Sequence, residues 1–438
     1  MRSREERRNF GKSHREAVHR VDQCRWDGRK AIIDAVEVIV ASSEGRLAEL
    51  LPIKFGRMAA SPFGFFRGAV PLMAADLATL PVSGLTTQIC GDAHVRNLGA
   101  YAAPDGRLIF DINDFDETIP GPWEWDVKRL ATSLVLAGRE AQDSEKTCKE
   151  AVLTFVQSYR AAMEELSKLT VLDLARYQVH RHLKATPISA VLKKAERATP
   201  SHNLEKLTTA AKGGRKFKES KPLITHVPKE TAQPVLGSLV SYRETLLAER
   251  QHFFDLYRPL DVVFKVVGTG SVGTRDYVVL CLGNDEGDAL FLQVKEEPPS
   301  AYAASLPQAK VVSHQGRRVA EGQRRMQAQS DLFLGWTSIA GRDYLVRQLS
   351  DHKAGIETED LKGQGLSDYA TVCGEVLAKG HARSGDACAI AGYCGSSDKL
   401  DKAVAKFAAA YADQTASDHH RLVAAIQRGK LKAKMSSL

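Results

Sequence analysis

The sequence predicts a two-lobed α+β protein, and three observations predict it. The chain has 438 residues, whereas a single hydrophobic core stops growing near about 250–300 residues. Helical periodicity dominates both ends, and strand-like runs broken by glycines occupy residues 261–298. Between these regions, residues 184–235 lose periodicity and gain Lys, Gly, Ser, Thr and Pro, the composition of a linker or mobile insertion. Four segments follow: a helical lobe over 1–183, a basic linker or insertion plus helix over 184–259, a glycine-rich β lobe over 260–352, and C-terminal helices over 353–438 that complete the first lobe.

Taken in order, residues 14–50 read as helical, with Ile32, Ile33, Val36, Val38, Ile39 and Val40 on one stripe. Ser61–Gly68 reads as a loop of aromatic anchors. Thr87–Cys90 and Arg107–Phe110 are short strands, separated by the turn signal Pro104-Asp105-Gly106. From Trp123 to Leu169 the pattern is helical, with Val152, Phe155, Tyr159, Met163 and Leu166 on one face. Residues 318–332, 367–382 and 400–430 are helical, and 342–349 is a strand.

Composition narrows the function classes. Lys+Arg number 61 against 53 Asp+Glu, a net charge of +8. The excess is local: residues 181–230 hold 12 basic and 4 acidic side chains, and residues 1–30 hold 10 and 5. No nucleic-acid reading module accompanies these runs, so they read as solvated faces. The seven cysteines are scattered with no C-x-x-C pair, which fits reduced thiols in a cytoplasm rather than disulfides or zinc. No apolar run approaches the ~20 residues of a membrane helix, and no apolar core follows the N-terminal charges as in a secretory signal.

The densest chemistry lies in Gly91-Asp92-Ala93-His94-Val95-Arg96-Asn97 and in Asp111-Ile112-Asn113-Asp114-Phe115-Asp116-Glu117. Three Asp and an Asn gathered beside an apolar strand repel one another unless a cation compensates. Oxygen donors of this kind suit Mg²⁺ or Mn²⁺. An Asp, an Asn five residues later, then a strand ending in Asp is the layout of a phosphoryl-transfer site. In that layout Asp92 orients the attacking hydroxyl and takes its proton. Asn97 and Asp111 hold the metal, with Asp114 or Asp116 as a further partner. His94 and Arg96 share the catalytic loop, and Arg96 either neutralises the transferring group or pairs with Asp111 or Asp116. A solvated acidic turn and a metallophosphoesterase site are the competing readings. The second needs further His ligands, and His94 stands alone.

These motifs resemble the aminoglycoside and choline kinase branch of the protein-kinase-like fold. The H-G-D-x-H-x-x-N loop of that branch reads Cys90–Asn97 here, its I-D-F strand reads Ile109-Phe110-Asp111, and its D-P-x-x-D-L-A segment reads Gly121–Ala131. The resemblance implies that Asp126 is a buried helix-start Asp that braces the catalytic loop. Cys90 departs from the pattern, which has His.

Gly268-Thr269-Gly270-Ser271-Val272-Gly273 contains G-x-G-x-x-G. An apolar, β-branched run follows it rather than a capped helix, so the loop joins two strands. Strand, glycine loop, strand, turn and a strand ending in Lys295 make the nucleotide-clamping lobe of kinases. Gly268, Gly270, Ser271 and Gly273 let the backbone approach phosphates, and Lys295 holds them as a point charge. Glu321, on a helix over Arg318–Gln329, is the expected partner of Lys295. Residues 260–350 then form a five-stranded antiparallel lobe facing the Asp92 and Asp111 cluster, with a hinge near Leu349–Asp351 and a helix at Tyr369–His381.

Ordinary kinases carry the glycine loop first and the catalytic Asp later. Here the order is reversed, so the fold class is a two-lobed, protein-kinase-like α+β fold in circularly permuted form. Such permutation is tolerated where termini lie close together. Over most of residues 50–415 the chain also resembles the bacterial domain-of-unknown-function 2252 family, through Arg57–Phe63, Gly91–Leu98, Asp111–Arg129, Val267–Arg275, Gly316–Trp336, Tyr344–Lys353 and His381–Asp386. His381–Asp386 rivals the catalytic loop in normal order, but Ala391 stands where Asn is needed, and it reads as a structural or substrate-side motif. The expected function is an ATP- and Mg²⁺-dependent (or Mn²⁺-dependent) kinase-like phosphotransferase, or a nucleotidyl transferase, acting on a small-molecule or protein acceptor. A non-catalytic nucleotide-binding regulator and a metal-dependent phosphoester hydrolase are the alternatives.

Overall fold

A computed structural model describes residues 2–29, 34–179, 186–211, 214–266, 268–306, 312–349 and 354–434. It is a mixed α and β structure with four sheets among the described residues, all antiparallel. The largest sheet has six strands. Five come from residues 258–348, and the sixth, Ile224–His226, adds to its edge from the basic segment. Of the expected hinge near Leu349–Asp351, residues 350 and 351 lie outside the described residues, as does Val267 before the glycine loop.

Alternation explains why this sheet has two covered faces. Tyr277, Val279, Cys281, Leu290, Leu292 and Val294 point to one side and pack under the helix Lys229–Arg243. Val278, Leu280 and Phe291 point to the other, where Leu204 and Phe217 of the basic segment cover them. The helix Gln315–Met326 packs beside the last two strands and buries Val319 and Ala320 in the main core.

The other lobe is built from helices. Trp123–Glu140 and Glu145–Leu166 pack against Gln364–Ser384, Ala387–Cys394 and Lys399–Gln427, so distant parts of the chain share one core. Trp123 stacks on Tyr159, with ring centroids 5.6 Å apart. Small sheets lie at the edge of this lobe: Thr86–Ile89 pairs with Ile119–Pro122, and Leu98–Ala102 lies between Leu108–Ile112 and Ala354–Gly355.

Several local expectations change. Residues 14–50 are not one helix. The chain forms Arg4–Ala17, a short turn at Arg20–Cys24, and Ala35–Ala41, with Gly28 at φ +81° between them. Ile32 and Ile33 lie outside the described residues, and Val40 is exposed. Ser61–Gly68 is a helix rather than a loop. Ser61 Oγ accepts from Gly64 N and Pro62 opens the first turn, a strong start signal. The run 123–169 splits at Gln142, at φ +61°, and restarts at the cap Ser144. The described residues of the segment read as a linker or insertion, 184–235, include the helices Thr186–Arg197 and Pro200–Leu207 and the paired strands Thr208–Ala211 and Gly214–Phe217. Ile188, Val191 and Ala195 stand at helical spacing on the first of these helices and enter the main core, while Leu204 and Phe217 join the sheet.

Candidate functional site

Gly91 begins the site. It sits at φ +80°, and a Cβ there would lie 2.4 Å from Glu117 O, so only glycine fits. Both oxygens of Asp126 accept from the loop, from Cys90 N at 2.8 Å and from Gly91 N at 2.9 Å. Asp126 lies in the first turn of Trp123–Glu140 and is fully buried. His381 Nε2 lies 3.2 Å from Asp126 Oδ2, and its Nδ1 lies 2.9 Å from the Tyr159 hydroxyl. His381 therefore belongs to the bracing network, and Asp386 caps the next helix. Ser133 Oγ accepts from Val95 N, and the hydroxyls of Tyr302 and Tyr369 donate to Gly91 O and Val95 O. The loop is thus fixed by partners from several distant elements.

This fixed loop holds Asp92 at the mouth of a cleft of about 440 Å³ between the lobes. Oδ1 of Asp92 accepts from Nε of the buried Arg129 at 2.8 Å, and the Arg129 guanidinium also lies over the Phe66 ring. His94 Nε2 is 3.6 Å from Asp92 Oδ2. Burial pushes His94 down to about 3 against the pull of Asp92, with Arg67, Arg129 and Arg96 adding to the fall, so His94 is neutral. Arg96 pairs with Glu357 at 2.8 Å, not with Asp111 or Asp116. Asn97 Nδ2 donates to Asp92 O at 2.9 Å and to Asp114 O at 3.3 Å. That leaves Oδ1 without a hydrogen bond among the described residues, and Asn97 lines the cleft.

The acidic stretch after strand Leu108–Ile112 meets Lys295 from the sheet. Lys295 Nζ donates to Asp116 Oδ2 and lies 3.8 Å from Asp114 Oδ1. Burial opposes the charge of Lys295, but Asp114 and Asp116 raise it above the usual ammonium range. Burial also works to raise Asp116, yet Lys295, then a hydrogen bond from Asp114, then Arg347 hold its carboxyl well below the usual range. Asp114, pushed up by burial and by the charge of Asp116, shifts the other way.

The glycine loop closes the cleft. Thr269–Ser271 makes a single 3₁₀ turn, and Ser271 Oγ donates to Asp116 Oδ2 at 2.8 Å. Arg46 donates to Gly270 O at 2.8 Å and Val272 O at 2.7 Å, which ties the loop to the helical lobe. Gly268, Gly270 and Ser271 line the cleft together with Asp92, His94, Arg96, Asn97, Asp114, Asp116 and Lys295.

Three expected site residues fall elsewhere. Asp111 does not line the cleft: its carboxylate pairs with Lys379, both side chains 1% exposed. The pleat turns Asp111 toward the helix Gln364–Ser384, and the chain reaches the cleft only two residues later. Glu321 does not meet Lys295. It pairs with Arg317 at 2.7 Å on the outer side of its helix, while the buried Arg318 faces inward and donates to Asp116 O and Thr118 O. Asp116 takes the role of carboxylate partner. Gly273 lies outside the lining and, at φ +93°, packs on Arg46.

The sequence reading missed most of the cations. Arg46, Lys54, Arg67, Lys265 and Arg347 join Arg96 and Lys295 in the lining, seven cations against the five carboxylates Asp92, Asp114, Asp116, Glu117 and Glu296. Burial lowers Arg67 to about 10, and its Nε has no partner. Burial, then Arg46, lowers Lys54 to about 7. Alternation along 342–349 carried a signal for Arg347. Arg46, in a bend, and Lys54 and Arg67, on short helices, had none, because no recognised motif includes them.

The donor set fits a small hard cation. Asp116 Oδ1 is buried without a partner, Asp114 lies beside it, and Asn97 Oδ1 is unspent. Among the described residues no three His, Cys, Asp or Glu side chains form a complete metal cage. Phosphate oxygens and water would complete the shell, as Mg²⁺ prefers.

No helix among the described residues is long and apolar enough to cross a membrane, and all seven cysteines are free. No curated protein and no solved structure matches the chain. A family model described as an uncharacterized protein conserved in bacteria, DUF2252, matches residues 46–425.

Proposed function

The chain belongs to the DUF2252 family, and from that premise we propose that it is a kinase-like, metal-dependent phosphotransferase in permuted order. The observation that carries this reading is convergence. Asp92 and Asn97 from residues 91–97, Asp114 and Asp116 from 111–117, and the glycine loop with Lys295 from the far half of the chain line one cleft. The succession strand, glycine loop, strand, turn, strand, helix and two strands supports the same reading. ATP is the donor and Mg²⁺ or Mn²⁺ the metal that the kinase resemblance implies, and the acceptor is a small molecule or a protein side chain.

In this reading Asp92 Oδ2 orients the acceptor hydroxyl and takes its proton, while Arg129 holds Oδ1 and fixes the carboxylate plane. Lys295, Ser271 and Arg67 hold phosphate oxygens. Asn97, Asp114 and Asp116 would hold the cation, which when bound offsets charge on the transferring group. Lys295 would then exchange Asp116 for phosphate, because a divalent ion on the same carboxylate repels its ammonium. Positioning and charge neutralisation dominate phosphoryl transfer, so Asp92→Asn should remove turnover and spare donor binding.

A non-catalytic binding protein is the second reading, favoured by the Arg129 contact that occupies half of Asp92. The experiment is consumption of a triphosphate with Mg²⁺ by wild type and Asp92→Asn in the presence of a metabolite and protein extract. Loss in the variant supports the phosphotransferase. Equal consumption removes Asp92 from the mechanism, and binding without turnover in either protein supports the second reading.

A further inference from the structure

The glycine loop is gripped by a part of the chain that carries none of the recognised motifs. Residues 45–53 lie against it from the helical lobe. Nη1 of Arg46 donates to both Gly270 O and Val272 O, and Leu47 N donates to Gly273 O at 2.8 Å. Arg275, just past the loop, donates back to Gly45 O at 3.4 Å. An apolar pin lies between these bonds. Val272 is 1% exposed and fills a small cluster with Leu47, Leu50, Ile53 and Val266. The turn Thr269–Ser271 also rests on the helix Pro62–Gly68, where a Cβ on Gly270 would lie 3.4 Å from Arg67 O.

A glycine-rich loop loses much conformational freedom when it is ordered, because glycine restricts the backbone least. Here the fold itself bears that cost, through the bonds to residues 45–47 and the buried Val272. A loop already held in place binds a ligand with less ordering left to do. Arg46 has a second capacity. It lines the cleft, and only its Nη1 is engaged with the loop. Its Nε and Nη2 make no hydrogen bond or ion pair among the described residues. Burial pulls Arg46 below the usual guanidinium range against the pull of Glu117, Asp116 and Glu296. A phosphate oxygen on the free edge would supply further counter-charge, in the forked geometry that a guanidinium favours.

We propose that Arg46 both positions the glycine loop and binds phosphate: one edge of its guanidinium holds Gly270 and Val272, and the other takes a phosphate oxygen. The loop is then a fixed cradle and not a flap, and residues 45–53 set its position before phosphate enters. This rests on the phosphotransfer reading of the cleft and adds to it a residue outside the motifs that suggested it.

Hydrogen exchange and calorimetry on the full chain test it, with inorganic tripolyphosphate and ATP, each with Mg²⁺, as probes. The variants are Arg46→Ala, Arg46→Lys, Val272→Ala and Lys295→Gln. Arg46→Ala and Val272→Ala should each speed exchange at the loop amides 269–274 at least tenfold and leave Cys90 and Gly91 unchanged, since only the loop is released. Arg46→Ala should weaken the tighter probe at least tenfold. Val272→Ala should weaken it about threefold or more, although Val272 carries no charge and lies outside the cleft lining. Arg46→Lys offers one ammonium to three acceptors and should recover only part of the loss. Full recovery in Arg46→Lys with the loop still exchanging fast would mean that charge alone matters, and would overturn the inference. Loop exchange unchanged in Arg46→Ala or Val272→Ala overturns it too, as does fast exchange with unchanged binding in Val272→Ala. If Lys295→Gln weakens the probe and the Arg46 and Val272 variants do not, the phosphotransfer reading stands and the role of Arg46 falls. If neither probe binds wild type, both fall.

Discussion

Asp111 and Lys379 form an ion pair sealed in the helical lobe, with each side chain 1% exposed. The pair joins the strand Leu108–Ile112 to the helix Gln364–Ser384, which are 268 residues apart in sequence. It makes a structural tie of a residue whose motif position suggested a metal ligand. Removing one partner strands a buried charge, which costs about 3–5 kcal/mol, whereas replacing both by apolar groups is often neutral. Asp111→Leu should therefore destabilise strongly, and the double variant Asp111→Leu/Lys379→Met should recover most of the loss. Denaturant unfolding of the three proteins measures this. A metal-binding role would instead leave stability little changed and abolish Mg²⁺-dependent ligand binding in the double variant.

Lys295 and a divalent cation compete for Asp116. Lys295→Gln should raise the affinity for Mn²⁺ alone and lower the affinity for a triphosphate at least tenfold, because one residue acts with opposite sign on the two ligands. Manganese titration by electron paramagnetic resonance and calorimetry with tripolyphosphate give the two numbers. A fall in both would mean that Lys295 supports the metal site rather than competing with it.

Asp126 receives two backbone N–H groups and faces His381. Asp126→Asn turns a donor toward one of those donors and removes the charge that strengthens the bonds. A loss of about 2–4 kcal/mol is expected from an unsatisfied buried group of this kind. Thermal unfolding should show it, and hydrogen exchange at Cys90 and Gly91 should accelerate. Unchanged exchange at those amides would show that the loop does not depend on Asp126.

Lys54 gives a pH dependence with a definite sign. It is buried, its Nζ donates to Ser43 Oγ at 2.9 Å, and burial together with Arg46 lowers it from 10.5 to about 7. Between pH 7 and 10.5 the unfolded chain carries a proton there that the folded chain lacks, so this group makes stability rise with pH across that window. Below pH 7 both states are protonated and the penalty is at its full size. Lys54→Met should be more stable than wild type at pH 6.5, by up to a few kcal/mol given about 1.4 kcal/mol per pH unit of displacement, and the gap should shrink by pH 9.5. Melting temperatures across that range would contradict this if the gap stayed constant or widened.

The short-range chemistry of the site was legible in the sequence. Asp92 and Asn97 stand five residues apart in one loop, Asp126 opens the following helix, and Lys295 ends the second strand after the glycine loop. Such spacings are set by local geometry, so the sequence alone determined these groupings and the α+β character of the chain. Tertiary structure decided which carboxylate does what. Asp111 and Asp116 are equivalent as letters, but the pleat sends Asp111 to Lys379 and leaves Asp116 for Lys295 and Ser271. Helix phase likewise turns Glu321 outward and Arg318 inward. Arg46 and Arg67 enter the site from distant elements, where no local pattern marks them, and Arg129, inside the Gly121–Ala131 segment, shows its role only through its bond to Asp92. Only the packed chain shows that Leu204 and Phe217 cover one face of the large sheet. Side-chain direction and long-range contact are properties of the packed whole, because each depends on which surfaces remain to be buried once the local elements have formed.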